Sequence, residues 1–373
     1  MINRLVVNAI NLSSRGGRSI LADCLHALET GLPAGWEAEA YVCSTEGLAR
    51  YSRVKLTVVP KRWGSWADRI WFELKGLHDL EAGRTVDVFL SLQGASARIE
   101  ARSKAVYCHQ NLPLAPMPLR VARAQPRLAL QRLIYDALYR FGIGQDATII
   151  VQQQGTRDAF ARRYGLRKSI VAHPYPAAEG TSSWRRRPIG AGTLRLLYPA
   201  GPYPNKDIGI LCDAVRKLRA DGFDVAATIT VSPDDNSYTR ALAARNADVP
   251  AISFVGLLAR EALEKAYETH DLLVFPSLVE SWGLPLSEGK AHGIGIVAAD
   301  LPYAHETVGT YDAIIFFPAG DSAALVDTIA GYWTGTSPLG HRTAVEPREP
   351  FARNWAELIG MLTSSDRNAT LSW

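Results

Sequence analysis

Short apolar runs punctuate the whole chain, and between them lie stretches whose apolar residues recur three and four positions apart. The first kind of pattern suits strands buried on both faces, and the second suits helices with one apolar stripe. In the first half, strands are predicted at Arg4–Asn8, Glu39–Cys43, Lys55–Val59, Val86–Leu90, Ala105–Cys108, Ala147–Val151 and Ser169–Ala172. A second series follows at Leu194–Tyr198, Val225–Val231, Ile252–Val255, Leu272–Phe275, Ile294–Ala298 and Ile314–Phe317. Strands alternating with helices imply parallel sheets made of βα units, so the expected class is α/β with two Rossmann-like, doubly wound domains. The alternation lapses between Ala177 and Thr193, where Glu-Gly-Thr-Ser-Ser and Arg185-Arg-Arg-Pro read as an interdomain linker. The predicted division is therefore 1–176, a linker at 177–193, 194–349, and a tail at 350–373 containing an amphipathic stretch, Phe351–Leu362.

A chain of 373 residues is long enough for two domains that each bury a core. Its apolar runs fall well short of the ~20 residues that span a bilayer, and the start, Met-Ile-Asn-Arg-Leu-Val-Val-Asn, lacks a signal peptide's apolar core. A cytoplasmic location is expected. Cys24, Cys43, Cys108 and Cys212 show no paired spacing, which implies neither disulfides nor zinc. The net charge of +4 conceals an asymmetry, +10 over residues 1–176 against −6 over 177–373. A cationic first domain favours an anionic partner there.

Several residues could carry chemistry. Leu272–Phe275 reads as a strand, Ser277–Gly283 as a loop, and Pro285 suits the first turn of a helix. Glu280 then lies just past the strand and Glu288 near the start of the helix, two carboxylates able to face one crevice. The same residues could equally be a solvated loop acid and a dipole-favoured helix acid. Lys206 follows the second domain's first strand, where an ammonium could neutralise a departing phosphate or simply be solvated. Gly16 and Gly17 precede a helix predicted at Ser19–Leu28, and paired glycines let a backbone approach a diphosphate closely, although any turn also uses glycine. His109, at a strand's carboxyl end, points into the crevice where open α/β sheets bind ligands, with Gln152 and Gln153 in a similar place. Lys61, Arg62, Trp63, Trp66, Arg69 and Trp71 form one basic, aromatic cluster, and Arg120, Arg123, Arg127 and Arg132 a second. Such clusters suit anionic lipid headgroups or a lipid-linked pyrophosphate, or are solvated faces. No nucleic-acid-binding motif is present.

The stretch from Asp271 to Gly293 resembles the Glu-x7-Glu signature of retaining glycosyltransferases with the GT-B fold, glycosyltransferase family 4. Phe275-Pro276-Ser277, Glu280, Gly283-Leu284-Pro285 and Glu288 stand where that family has them, and Leu301-Pro-Tyr-Ala-His-Glu306 is similar to the family's segment after its next strand. The resemblance implies two Rossmann-like domains facing across a cleft, with a C-terminal helix that crosses back to the N-terminal domain. It implies an N-terminal acceptor-binding domain and a C-terminal domain for a nucleotide-diphosphate sugar. Gly16, Gly17, Lys206, Gly283, Leu284 and Glu288 would hold the donor, with Glu288 on its ribose. Glu280 would contact sugar hydroxyls, and His109 the transferred sugar or the acceptor. No Asp-x-Asp, the usual metal motif of the other major glycosyltransferase fold, occurs, so transfer without metal or cofactor is expected. Two departures stand out. Pro202 replaces an arginine common in the Lys206 loop, and Gly289 replaces an alanine, for which close packing or ligand approach is the expected reason.

The resemblance further implies a glycan acceptor on a polyprenyl carrier at the inner face of a membrane, as in surface polysaccharide assembly, with peripheral contact through the basic domain. The leaving diphosphate would help to deprotonate the acceptor. A sugar-nucleotide epimerase on the same fold and a non-catalytic sugar-nucleotide-binding protein remain as alternatives.

Overall fold

A computed structural model describes residues 2–12, 15–59, 66–114, 126–144, 146–165, 168–174, 192–336 and 346–364. The chain divides into two compact units, Met1–Ala177 with Pro347–Trp373, and Ala178–Glu346. The first contains β1 (Asn3–Ala9), β2 (Trp36–Val42), β3 (Val54–Val58), β4 (Val88–Ser91), β5 (Ser103–Tyr107), β6 (Thr148–Val151) and β7 (Ser169–Ala172). The second contains β8 (Leu194–Tyr198), β9 (Val225–Ile229), β10 (Ile252–Phe254), β11 (Leu272–Phe275), β12 (Gly295–Ala299) and β13 (Ile314–Phe317). A two-residue strand, β14 (Phe351–Ala352), completes the first unit's sheet.

Both sheets are parallel at every pairing among the described residues. The first runs β14-β7-β6-β5-β4-β1-β2-β3 and the second β10-β9-β8-β11-β12-β13. Each is the doubly wound order, which reverses direction once, between β1 and β4 in one unit and between β8 and β11 in the other. Such a reversal opens a crevice beyond the strands' carboxyl ends, because the connections on either side leave in opposite directions.

A parallel sheet must be covered on both faces, which is why β4, β6, β11 and β12 are buried along their whole length. In the first unit, α1 (Arg15–Gly31) and the C-terminal helix cover one face. The other is covered by α2 (Trp66–Trp71), a π-helical turn at Phe72–Gly76, α3 (Leu77–Glu81), α4 (Pro126–Phe141) and α5 (Gln154–Tyr164). In the second, α6 (Ile208–Ala220), α7 (Ser237–Arg245), α8 (Arg260–Thr269), α9 (Leu284–Ala291), α10 (Pro302–Val308) and α11 (Ser322–Thr334) enclose one core with the sheet.

The C-terminal helix, α12 (Trp355–Thr363), lies against α1 in the first unit. Trp355, Leu358, Ile359 and Leu362 share a core with Leu21, Leu25 and Leu28 of α1. Four such side chains correspond to about 6–12 kcal/mol of transfer free energy, an upper bound that anchors the tail. Asn354 caps α12 by accepting a hydrogen bond from the Glu357 N–H at 2.9 Å. The stretch predicted as one helix from Phe351 is thus a strand and then a helix. Phe351 and Ala352 pair with Val171 and Ala172 of β7, as part of an apolar run too short to announce a strand.

Other boundaries shift for local reasons. β9 ends at Ile229 rather than Val231, because the next residue, Thr230, turns its hydroxyl to the Ala200 N–H at 3.0 Å. α1 begins at Arg15, not Ser19, so Gly16 and Gly17 lie in the first helical turn instead of a loop before it. The predicted linker lies almost wholly outside the described residues. Cys24, Cys108 and Cys212 are buried and Cys43 is half-buried, all as free thiols. No helix among the described residues is long and apolar enough to cross a membrane.

Candidate functional site

In the second unit, the loops that leave β8 and β11 flank the reversal point and are joined to one another. The β8 loop closes in a 3₁₀ turn, Pro204–Lys206, whose Lys206 carbonyl accepts a hydrogen bond from the buried Tyr198 hydroxyl at 2.5 Å. Asn205 is the seam. Its carbonyl accepts from the Leu278 N–H at 2.8 Å and from the Ser277 hydroxyl at 3.3 Å, while its side-chain amide donates to the Val279 carbonyl at 3.2 Å. Asp207 follows at φ 49°, the one non-glycine positive φ among the described residues. A backbone strained by ~1–2 kcal/mol directly after Lys206 marks a turn held in place by its surroundings.

That seam brings Lys206 and Glu280 together. The Lys206 ammonium donates to Glu280 Oε1 at 2.5 Å, and both side chains are mostly shielded, at 18% and 13% exposure. Each charge would be costly to hold alone in such a place, and the pair stabilises both.

Beyond Glu280, the chain turns through Gly283 into α9. Gly283 is left-handed, at φ 85° and ψ 58°, and Pro285 occupies the first turn, where the missing N–H costs nothing. Trp282 is buried against this turn, donating from Nε1 to the Ser287 hydroxyl at 2.9 Å, and its carbonyl accepts from the Thr307 hydroxyl. Tyr303 braces the preceding loop, donating to the Ser277 carbonyl at 2.6 Å. Glu288 is held separately, by a hydrogen bond from the buried Tyr267 hydroxyl to its Oε2 at 2.7 Å. Tyr267 in turn stacks on His292, with ring centroids 5.2 Å apart.

The two departures from the family pattern acquire physical content. A Cβ on Gly289 would lie 2.8 Å from Leu273 Cδ2 and 3.2 Å from Ile294 Cγ2, so close packing of α9 on the sheet accounts for the glycine. The Pro202 carbonyl accepts from Asn236 Nδ2 at 2.7 Å, and Asn236 also caps α7, which fixes this end of the β8 loop without an arginine. Lys290, in the last turn of α9, donates to the Thr307 and Val308 carbonyls at 2.6 and 3.2 Å and so caps α10. Burial lowers its ammonium to about 8. Sequence reasoning missed Asn205, Tyr267 and Lys290. Asn205 adjoins Lys206 and was within reach of inspection, but nothing in the sequence links Tyr267 to Glu288 across 21 positions.

In the first unit, His109 follows β5. Tyr107, fully buried, stacks on Trp355 of α12 at 5.0 Å and accepts a hydrogen bond from Gln152 Nε2 at 2.9 Å. The loop beyond is tied down by Asn111, whose amide donates to the Thr156 hydroxyl at 2.9 Å, and by Tyr139, whose hydroxyl donates to the Gln110 carbonyl at 2.8 Å. His109 is half-buried, with its Nδ1 shut off from solvent. Burial, assisted by the nearby Arg69 guanidinium, lowers the imidazole to about 4, so it is neutral at neutral pH. Gln152 and Gln153 are buried behind this loop rather than facing an open crevice.

Arg69 overturns one expectation. Assigned from sequence to an acceptor- or membrane-facing surface, it is buried, at 2% exposure, donating from Nε to Glu73 at 2.9 Å and from Nη2 to the Gln93 carbonyl at 2.5 Å. The basic cluster misled because one turn of α2 faces inward. Lys61, Arg62, Trp63, Arg120 and Arg123 lie outside the described residues, as do the side chains of Trp66 and Arg127. Among the described residues, no group of three or more His, Cys, Asp or Glu is placed to hold a metal ion.

Comparison with known proteins decides the class of the second unit. Residues 193–334 match the family model described as glycosyl transferases group 1. The second unit is a glycosyltransferase group 1 domain. Its Lys206, Glu280, Gly283 and Glu288 all fall within the matched span. Among solved structures, sucrose-phosphate synthase from Thermosynechococcus elongatus is similar at a TM-score of 0.62 and 15% identity, over 100% of this chain and 95% of that one. WaaG, a glycosyltransferase involved in lipopolysaccharide biosynthesis, is similar at a TM-score of 0.62 and 14% identity, over 98% and 97%. Anabaena HepE, solved with UDP and glucose, is similar at 0.58 and 16%, over 88% and 89%. At such identities the likeness establishes the fold, two Rossmann-like parallel-sheet domains of the GT-B type. No curated protein sequence matches this chain.

Proposed function

We propose that the protein is a retaining, metal-independent glycosyltransferase that moves a sugar from a nucleotide-diphosphate sugar to a glycan acceptor carried on a polyprenyl lipid, in cell-surface polysaccharide synthesis. The observation that carries the reading is the Lys206–Glu280 pair at the reversal point of a glycosyltransferase group 1 domain. An ammonium there suits a departing diphosphate, and electrostatic stabilisation is most effective where charge develops in a shielded site. Glu280 would exchange part of its bond to Lys206 for the hydroxyls of the transferred sugar. Lys206 would turn to the diphosphate, joined by N–H groups that follow Gly283 at the start of α9. Glu288, oriented by Tyr267, would accept hydrogen bonds from the ribose. In the first unit, the same reading assigns Gly16 and Gly17 to the diphosphate, and the neutral His109 imidazole to the sugar or acceptor.

The chemistry is departure of the nucleotide diphosphate with attack of the acceptor hydroxyl on the same face. The C–O bond to the diphosphate breaks, the new glycosidic C–O bond forms, and the acceptor proton passes to the leaving phosphate oxygen. The test is turnover. Purified protein with a panel of nucleotide sugars and membrane-extracted lipid-linked glycan should release one class of nucleotide diphosphate in chelator as fast as without it. The product's anomeric configuration, read by NMR, should match that of the donor. Inversion, or interconversion of the donor sugar without an acceptor, would refute the reading.

A further inference from the structure

Lys290 ties α9 to α10, and the tie lands on a residue that already holds the site. α9 has Gly283 at its entrance and Glu288 on its second turn. One position past the close-packed Gly289, the Lys290 ammonium crosses to the last turn of α10 and donates to the Thr307 and Val308 carbonyls. α10 does not need this contact in order to end. The Gly309 N–H reaches the His305 carbonyl and the Tyr311 N–H the Val308 carbonyl, each at 3.1 Å. Nor does the ammonium gain a counter-charge, since among the described residues no carboxylate pairs with it and burial alone lowers its pKa. Holding a cation out of water against neutral carbonyls costs stability that a methionine or leucine of similar size would not. A side chain that costs stability beside a candidate site points to a role in that site.

The role follows from what α10 holds. Thr307, whose carbonyl Lys290 takes, is buried, and its hydroxyl donates to the Trp282 carbonyl directly before the left-handed Gly283. One turn earlier on the same face of the helix, Tyr303 donates to the Ser277 carbonyl. α10 therefore grips the loop 277–283 at both ends, and Glu280 lies between the two grips. A helix of seven residues has too little length to hold itself in place. Lys290 supplies its fixing point. α9 is in turn seated as closely on the sheet as Gly289 allows, because a Cβ there would meet Leu273 at 2.8 Å. The path runs from the sheet through α9 and Lys290 to Thr307, and from Thr307 to Trp282 and the turn.

We infer that Lys290 is a positioning residue for the donor site: acting through Thr307, it sets α10 so that Gly283 and Glu280 keep the places in which they meet the diphosphate and the transferred sugar. The inference deepens the proposed function and rests on it for what the loop meets. Its part differs from that of Lys206, which would touch the diphosphate itself.

Two measurements on the full chain test it, with Lys290→Met, which removes both donations and keeps an apolar stem, and Thr307→Val, which removes the hydroxyl and keeps the carbonyl. Amide hydrogen exchange needs no ligand. At residues 278–283 it should quicken by about tenfold in Lys290→Met, while the first unit's sheet exchanges as in the native chain. Steady-state turnover of a nucleotide sugar should show kcat lowered by about ten- to a hundredfold in either variant, with the donor KM within about twofold. The split is expected because charge develops on the diphosphate only as its bond breaks, whereas Glu288 and Tyr267 still hold the nucleotide. The double variant should lose no more than the worse single one, since both break the same path. Unchanged exchange in Lys290→Met overturns the inference, as do a raised KM at unchanged kcat and losses that multiply in the double variant. A native chain that turns over no nucleotide sugar sinks the proposed function instead, and exchange at 278–283 still decides whether Lys290 holds the loop.

Discussion

Gly283→Ala places a methyl group at the turn on which the site depends. At φ 85° an L-residue with a Cβ is strained by ~1–2 kcal/mol. The alanine also narrows the unfolded ensemble, which returns about 0.4–1 kcal/mol. Crowding adds to the loss. The new Cβ would lie 3.2 Å from Leu286 Cδ1 and 3.5 Å from ring carbons of Phe275 and Tyr303. None of these can retreat freely, since Leu286 and Phe275 are fully buried and Tyr303 is held by its bond to the Ser277 carbonyl. The net expectation is a loss of about 1–2 kcal/mol, visible as a lower urea midpoint at unchanged m. For a unit of this size it corresponds to a melting shift of roughly 2–8 °C. Gly289→Ala is the control. It gains ~1 kcal/mol of helix propensity but must displace Leu273, so no stabilisation is expected. A neutral or stabilising Gly283→Ala would refute the left-handed turn, and a Gly289→Ala stabilised by the full propensity term would refute the close packing.

Three further outcomes are expected. Tyr267→Phe removes the donor to Glu288 Oε2 and should cost about 1–2 kcal/mol, with weaker nucleotide-sugar affinity and little change in turnover at saturation; equal affinity would mean that Glu288 needs no orienting partner. The depressed imidazole of His109 makes stability pH-dependent in a defined window: between about 4 and 6.5 the unfolded chain holds a proton that the folded chain does not, so this contribution is complete above 6.5 and is lost as pH falls towards 4. His109→Gln should flatten that part of the denaturation midpoint against pH, and an unchanged slope would assign it elsewhere. Arg69→Met strands the Glu73 carboxylate, whose protonation burial already favours, and should cost on the order of 3 kcal/mol; a surface-type cost of under ~0.5 kcal/mol would contradict the burial of Arg69.

How much of this was legible in the sequence depended on the range of the interaction concerned. Most strands were visible because the buried positions of parallel strands form short apolar runs, unbroken in Leu272–Phe275, which is buried along its whole length. β14 was not, because two residues carry no period and its existence depends on the edge of β7, some 180 positions earlier. The site divides in the same way. Glu280, Gly283, Pro285 and Glu288 share one strand–loop–helix segment, so spacing alone placed them. The seam at Asn205 and the Tyr267 hydroxyl are tertiary facts, created by the order in which β8 and β11 pair. Arg69 failed for the opposite reason. A local cluster of basic and aromatic residues looked like a surface, whereas the helix that carries it turns one side inward onto Glu73 and Gln93.

The central claim is that the second unit binds a nucleotide-diphosphate sugar through Lys206, Glu280 and Glu288. Thermal midpoints measured against a panel of UDP-, GDP-, ADP- and dTDP-sugars, for the native chain and for Lys206→Met and Glu288→Ala, test it most directly. A ligand that binds only the folded state at about a hundred times its dissociation constant stabilises by ~2.7 kcal/mol. The account predicts such a rise for one nucleotide class, with its loss in both variants. A native chain that no nucleotide sugar stabilises, or variants stabilised as fully as the native chain, would contradict it.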